Sequence, residues 1–283
     1  MTQDLEKLKD WIGRKEHGTD YVTVPLVDRL AATLDRDDAF AKIGDPLPIG
    51  WHSTLFPHVV RRSQIGPDGH PARGDFLPPV PLPRRMFAGK RTTFHAPLLV
   101  GDEVRKEAEI TGVNIKQGRT GTMVFVTVRH TMSTARGVAV VEDQDIVYRG
   151  EPDPNAPPAP AQPASRDARW TKPFTADEVT LFRYSALTFN GHRIHYDHPY
   201  VTKVEGYRGL VMNGGLTTLL VYELARDNAR SPVTSMTSRN VRPLFANEPF
   251  TFCGEPSADG ATAKLWVVDK DGALALSAEA TFA

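Results

Sequence analysis

Residues 151–163 read Glu-Pro-Asp-Pro-Asn-Ala-Pro-Pro-Ala-Pro-Ala-Gln-Pro, six prolines in thirteen positions. Proline has no N–H to donate and a fixed φ, so this run can be neither a helix nor a central strand. It reads as a semi-rigid extended linker over 150–168. Whatever this chain folds into must therefore be built as two units, 1–149 and 169–283.

The two sides share an order of elements. Before the linker, residues 24–34 have the apolar spacing of a helix. A long Gly/Pro-rich stretch then runs to about residue 82, and strand-like runs follow at 91–95, 103–113, 121–131 and 138–149. After the linker, 175–178 (Thr-Ala-Asp-Glu) is a capping-box sequence opening a helical run at 179–187. A second helical run covers 216–225, and strands resume at 235–241, 248–254, 263–268 and 273–282. A local echo supports duplication: 97–103 is Pro-Leu-Leu-Val-Gly-Asp-Glu, and 243–248 is Pro-Leu-Phe-Ala-Asn-Glu, each between two strands. A helix packed on an antiparallel sheet, made twice, is an α+β arrangement. Carried back by the offset of the echo, His195 falls near 49–52 (Ile-Gly-Trp-His), which lacks the pattern around it. One site is expected, in the second half.

Composition narrows the partners. Lys and Arg total 34, as do Asp and Glu. With no basic excess to neutralise phosphates, nucleic acid is not expected as a partner. The single cysteine, Cys253, allows no internal disulfide and no cysteine-based zinc cluster, which fits a reducing cytoplasm. The N-terminal residues are charged, unlike a signal peptide, and no run of about 18 apolar residues suggests a membrane span.

The chemistry concentrates in 184–197, Tyr-Ser-Ala-Leu-Thr-Phe-Asn-Gly-His-Arg-Ile-His-Tyr-Asp. Asn190 and His195 lie five apart with a glycine between, so a turn can bring both side chains to one small volume. Flanked by Ile194 and Tyr196, His195 is expected to be partly buried, with a pKa tuned for acid or base work. A capped helix end followed by a buried, hydrogen-bonded histidine fits the same residues. His192, His195 and His198 recur every three positions, yet the glycine turn argues against a metal site.

The pattern Tyr-x-x-Leu-x-x-Asn-x-x-x-x-His-x-Asp, followed at 209–216 by Gly-Leu-Val-Met-Asn-Gly-Gly-Leu, resembles the motif of the MaoC-like, double hot-dog enoyl-thioester hydratases and dehydratases. Residues 83–89, 94–98, 124–130 and 143–148 are similar to the subgroup of itaconyl-CoA and mesaconyl-C4-CoA hydratases, enzymes of itaconate degradation. The resemblance spans most of the chain outside the linker and extreme N-terminus. It implies two hot-dogs, each an antiparallel sheet wrapped around a central helix, the first degenerate, together making one active site. It implies an acyl-CoA thioester as substrate and no cofactor. The family's usual acid/base pair is Asp and His five residues apart; here Asn190 stands at the Asp position.

The roles that follow are these. His195 activates water. Asn190 holds that water but cannot take its proton; it also fits a plain helix cap. Gly214 offers a backbone N–H to the thioester oxygen from a helix N-terminus, which suits an oxyanion. Asn213 caps that helix. Asp197 either orients its neighbours or is a solvated loop acid. A dicarboxylic acyl group needs a cation, for which Arg193, Arg84 and Arg85 are candidates. Trp51 and His52 line the acyl tunnel, or Trp51 simply packs.

The expected activity is a cytoplasmic hydro-lyase, reversibly hydrating a short dicarboxylic enoyl-CoA, itaconyl-CoA or mesaconyl-C4-CoA, to a citramalyl-CoA. The alternatives are a 3-hydroxyacyl-thioester dehydratase of longer chains, a thioesterase on the same scaffold, and a non-catalytic acyl-CoA-binding subunit. Hot-dog sheets also associate, so a homo-oligomer is an open expectation.

Overall fold

The computed structural model describes residues 5–71, 76–118, 121–150 and 161–283. Most of the expected linker, 151–160, lies outside the described residues. Before it come β1 (Lys15–Tyr21), α1 (Val24–Thr33), β2 (Arg84–Phe94), β3 (Glu103–Gly118), β4 (Gly121–Thr134) and β5 (Gly137–Arg149). After it come β6 (Trp170–Thr175), α2 (Glu178–Leu187), α3 (His198–Lys203), α4 (Gly214–Asn228), β7 (Val233–Asn240), β8 (Pro249–Pro256), β9 (Thr262–Val268) and β10 (Leu274–Phe282). The α2 cap is Asp177, which accepts from Thr180 N–H, and not Thr175.

Ten strands make one sheet, ordered β1-β3-β4-β5-β2-β7-β10-β9-β8-β6. The halves meet where β2 pairs antiparallel with β7. Read outward from that seam, each half runs second, fifth, fourth, third and first strand. This is the double hot-dog, an α+β fold. Its second half wraps α4, whose residues 216–225 are all buried; a helix enclosed on every face belongs in a core. Met236, Phe252, Leu265, Val267 and Leu276 from the surrounding strands pack in the same apolar cluster.

Among the described residues, the first half has no such helix. Leu47 N–H donates to Leu98 O and Val100 N–H to Asp45 O, both at 2.8 Å. In the second half Met212 N–H donates to Leu244 O and Ala246 N–H to Leu210 O, both at 2.9 Å. Since 98 and 100 echo 244 and 246, Leu47 matches Met212, and the 3-10 turn Trp51–Thr54 stands where α4 begins. Residues 49–52 thus correspond to the start of the central helix and not to His195; the offset of the echo does not hold upstream because the connections differ in length. Trp51 is fully buried and donates from Nε1 to Glu223 of α4 at 2.8 Å. Glu223 also meets Arg36 at 3.0 Å and Arg226 at 2.7 Å, so this cluster ties the halves together.

The seam requires a glycine. A Cβ on Gly89 would lie 2.3 Å from Ser238 O across the β2–β7 pairing. Gly89→Ala is expected to cost about 1–3 kcal/mol, the usual range for overpacking. The check is the urea midpoint, and an unchanged midpoint would mean that the seam yields freely.

Candidate active site

The helix α2 ends at Leu187 and the chain reverses through Phe189, whose φ is +52°. Asn190 N–H donates to Ser185 O at 2.8 Å, and Asn190 Oδ1 accepts from His192 N–H at 3.0 Å. The second bond is the local turn an asparagine makes with the backbone two residues on. It engages Oδ1 and makes no use of the Nδ2 hydrogens.

His195 follows on a 3-10 turn, 6% exposed. Its Nδ1 lies 2.7 Å from Val211 O. A carbonyl only accepts, so Nδ1 carries the proton and Nε2 holds a lone pair. Burial lowers this imidazole to about 4; the Val211 carbonyl opposes the shift and the charge of His70 adds to it. The side chain is therefore a neutral base with a fixed tautomer.

Asn190, His195, Asn213 and Gly214 line a cavity of about 710 Å³, together with His58 and His70 of the first half. Gly214 opens α4, and among the described residues nothing accepts its N–H or that of Gly215. Asn213 is at the cap position, but its side chain does not cap. Its backbone carbonyl accepts from Thr217 N–H, Nδ2 donates to Ser185 Oγ at 3.3 Å, and Oδ1 is buried without a partner among the described residues.

The other expected residues are placed as follows. Arg193 donates from Nε and Nη2 to Asp197 Oδ2 at 3.0 and 2.7 Å, and from Nη1 to Pro67 O at 2.9 Å. Its guanidinium lies 3.9 Å over the Tyr200 ring. It clamps the motif to the first half, and its fork is occupied. Asp197 holds Arg193 and caps α3 by accepting from Tyr200 N–H at 3.0 Å. Arg84 and Arg85 sit at the start of β2 and are not among the residues lining this cavity, although the charge of Arg85 reaches His70, which lines it, and His192. His52 is buried against Glu142 at 3.3 Å and lines a different cavity from His195.

One group was not foreseen. Residues 66–70 of the first half press onto the motif: Arg193 N–H donates to Asp68 O at 2.8 Å. Gly69, at φ +87°, comes so near that a Cβ would lie 1.9 Å from Gly191 O. The loop carries Asp68 and His70, joined at 3.1 Å, with His70 stacked 3.8 Å from the His192 ring. His192 in turn meets His195 edge-on at 5.4 Å. Burial, then the charges of His70 and His195, bring His192 down to about 3. Asp68, His70 and His192 place one ligand atom each within 4.8 Å of one another, so they could hold a metal ion. His192 is thus grouped across the halves, and not with His195 and His198 at i, i+3, i+6. The only sequence signal was a Gly-rich loop with a histidine, which is common in any loop.

A double hot-dog with a buried histidine, a helix N-terminus and a cavity between its halves has the architecture of the MaoC-like dehydratases. A Phytophthora capsici MaoC-like dehydratase superposes with a TM-score of 0.73 at 14% identity, over 99% of this chain and 98% of that one. A Mycobacterium tuberculosis protein described as having a double hotdog fold superposes at 0.55, 15% identical over 98% and 97%. Residues 50–246 match the family described as hydroxyacyl-thioester dehydratase type 2, and the chain belongs to that family. It is 42% identical, over 95% of both chains, to the mesaconyl-C(4)-CoA hydratase of Chloroflexus aurantiacus. Among the described residues, no helix is long and apolar enough to cross a membrane.

Proposed function

We propose that this chain is a hydro-lyase that reversibly adds water to a short dicarboxylic enoyl-CoA, mesaconyl-C4-CoA or itaconyl-CoA, to give a citramalyl-CoA. The observation that carries this reading is the full-length 42% identity to a mesaconyl-C(4)-CoA hydratase. The site supplies matching chemistry. In mesaconyl-C4-CoA, whose double bond is conjugated with the thioester, His195 Nε2 takes a proton from water as its oxygen bonds to the β-carbon. The π electrons move to the thioester oxygen, where the Gly214 and Gly215 N–H groups and the α4 dipole stabilise the charge. His195 then returns the proton to the α-carbon, so that one water supplies both H and OH. A base lowered to about 4 is, once protonated, a stronger acid than an ordinary imidazolium, which suits the return. Asn190 Nδ2 donates to the water oxygen and Asn213 Oδ1 accepts from it. No step calls for a cofactor.

Purified protein should interconvert mesaconyl-C4-CoA and citramalyl-CoA with no added nucleotide or metal. Release of free CoA would indicate a thioesterase, and binding without turnover a non-catalytic subunit. The family also favours a second reading, dehydration of longer 3-hydroxyacyl thioesters; rates rising with chain length would select it. Asn190→Asp preserves the turn, because a carboxylate also accepts from His192 N–H, but it loses both donors. We expect kcat to fall about 10-fold or more, the scale of a hydrogen bond to a developing charge. An unchanged kcat would remove the amide from the mechanism.

A further inference from the structure

The first half of the sheet carries charge where a core should be. On strands, alternate residues share a face. The inward rows that hold Val104 and Ala108 on β3, Val128 and Met132 on β4, Val140 on β5 and Thr92 on β2 also hold Lys106, His130, Glu142, Gln144 and Lys90. With His52 these line a second cavity of about 330 Å³. Lys90 meets Glu142 at 2.9 Å, and Thr92 Oγ1 donates to the same carboxylate at 2.8 Å. Lys106 has no carboxylate within 4 Å among the described residues; its ammonium lies 4.6 Å over the Phe56 ring. Burial lowers its pKa, against the pull of Glu16, Asp20 and Glu142. Of the charged groups that line the cavity itself, two are lysines and one, Glu142, is a carboxylate. His130 Nδ1 is buried without a partner among the described residues.

Burying charge is costly, and an apolar core of similar volume is often as stable or more so. The second half shows that apolar solution, with Met236, Phe252 and Leu265 around α4. In the first half the turn Trp51–Thr54 stands where that helix begins in the second, and its His52 and Ser53 line this cavity. The cavity adjoins the active site, since Ser53, Tyr184 and Gly215 line both. Gly215 is also one of the two N–H donors offered to the thioester oxygen. The active-site cavity itself is lined by no lysine or arginine among the described residues.

The geometry points to the second cavity as the subsite for the free carboxylate of the acyl group, with Lys106 as its cation and Lys90 holding the site open through Glu142. This assignment rests on the hydratase reading for its substrate. In mesaconyl-C4-CoA the carboxylate is on the β-carbon, so its cation must lie beside the reacting centre, as the cavity past Gly215 does. Arg193, by contrast, spends its fork on Asp197 and Pro67 O.

Two measurements test it, one independent of turnover. Calorimetry should show wild-type protein binding succinyl-CoA, a saturated acid-ended thioester, more tightly than butyryl-CoA. Lys106→Met should cut that preference about 10- to 100-fold, the range for a hydrogen bond to a charged group. Lys106→Gln, which keeps the polar stem, should do the same and covers a failure of the Met variant to fold. In rates, the ratio of kcat/KM for mesaconyl-C4-CoA over crotonyl-CoA, which lacks the carboxylate, should fall by a similar factor. A wild-type protein without the binding preference, or a variant that keeps it, overturns the subsite. A wild-type protein that shows the preference yet hydrates neither thioester overturns the hydratase reading and leaves the subsite standing.

Discussion

His195→Ala is expected to lower kcat for hydration by about 10³–10⁴-fold, at the top of the range for one acid/base group. The magnitude follows from the lack of a substitute. Asn190 cannot accept a proton at any working pH, and its Oδ1 is held by the His192 N–H. His70 and His192 lie across the ring stack, with His192 nearest at 5.4 Å from His195 between centroids. The same side chain would both take the proton from water and deliver it to the α-carbon, so its removal disables both transfers. KM should change little, because the oxyanion donors and the acyl pocket remain. His195 is buried against Val211 O, so the alanine variant needs a fold control, and His195→Gln supplies one: its amide can donate to that carbonyl but cannot act as a base. A His195→Gln rate within 10-fold of wild type would exclude His195 as the base. The pH profile is a companion reading. A base with a pKa of about 4 is already deprotonated at neutrality, so kcat/KM should be flat from pH 6 to 8 and fall only as the pH approaches 4.

What the sequence disclosed and what it hid divide along physical lines. The long strands β3, β4 and β5 have alternating burial, and that alternation is visible in their residues. α4 was legible from its mostly apolar run at 216–225 after two glycines. β1 was not, because it is an edge strand of mixed polar residues held by cross-strand pairs such as Lys15–Glu107 at 2.8 Å. Its partners are about 90 positions away, and no local window contains them. Arg193 illustrates the same limit. Its place inside the motif suggested contact with substrate, whereas its fork is set by Asp197 four residues on and by Pro67 from the other half. The Asp68–His70 pair and the Lys90–Lys106–Glu142 cavity are assembled only by folding. Each is a few polar residues scattered over segments that read as ordinary loop or strand. The duplication was legible in the echo at 97–103 and 243–248, but its register was not: the two connections ahead of β2 and β7 differ in length, so one offset cannot carry both the echo and the motif.

Acidification should destabilise the fold well before its carboxylates titrate. Burial lowers His195 to about 4 and His192 to about 3, and lowers His70 and His130 as well. In the unfolded chain each returns to about 6.5. Between those values the unfolded state binds protons that the folded state refuses, so stability falls as pH drops from 6.5 toward 4 and is fully present above 6.5. For His195 alone, the drop from about 6.5 in the unfolded chain to about 4 in the fold amounts to about 3 kcal/mol. Carboxylates give a separable signal. Glu142 and Asp68 are held below their ordinary values, so they lose stability mainly below pH 4.5. Urea midpoints measured from pH 7.5 to 4.5 should therefore slope downward already at pH 6, and His192→Phe should flatten part of that slope by removing one proton-refusing ring from the stack with His70. A midpoint constant from pH 7 to 5 would mean that these histidines take up protons in the folded protein. In that case His195 would be partly cationic at pH 6, and its activity would rise with pH through neutrality instead of lying flat.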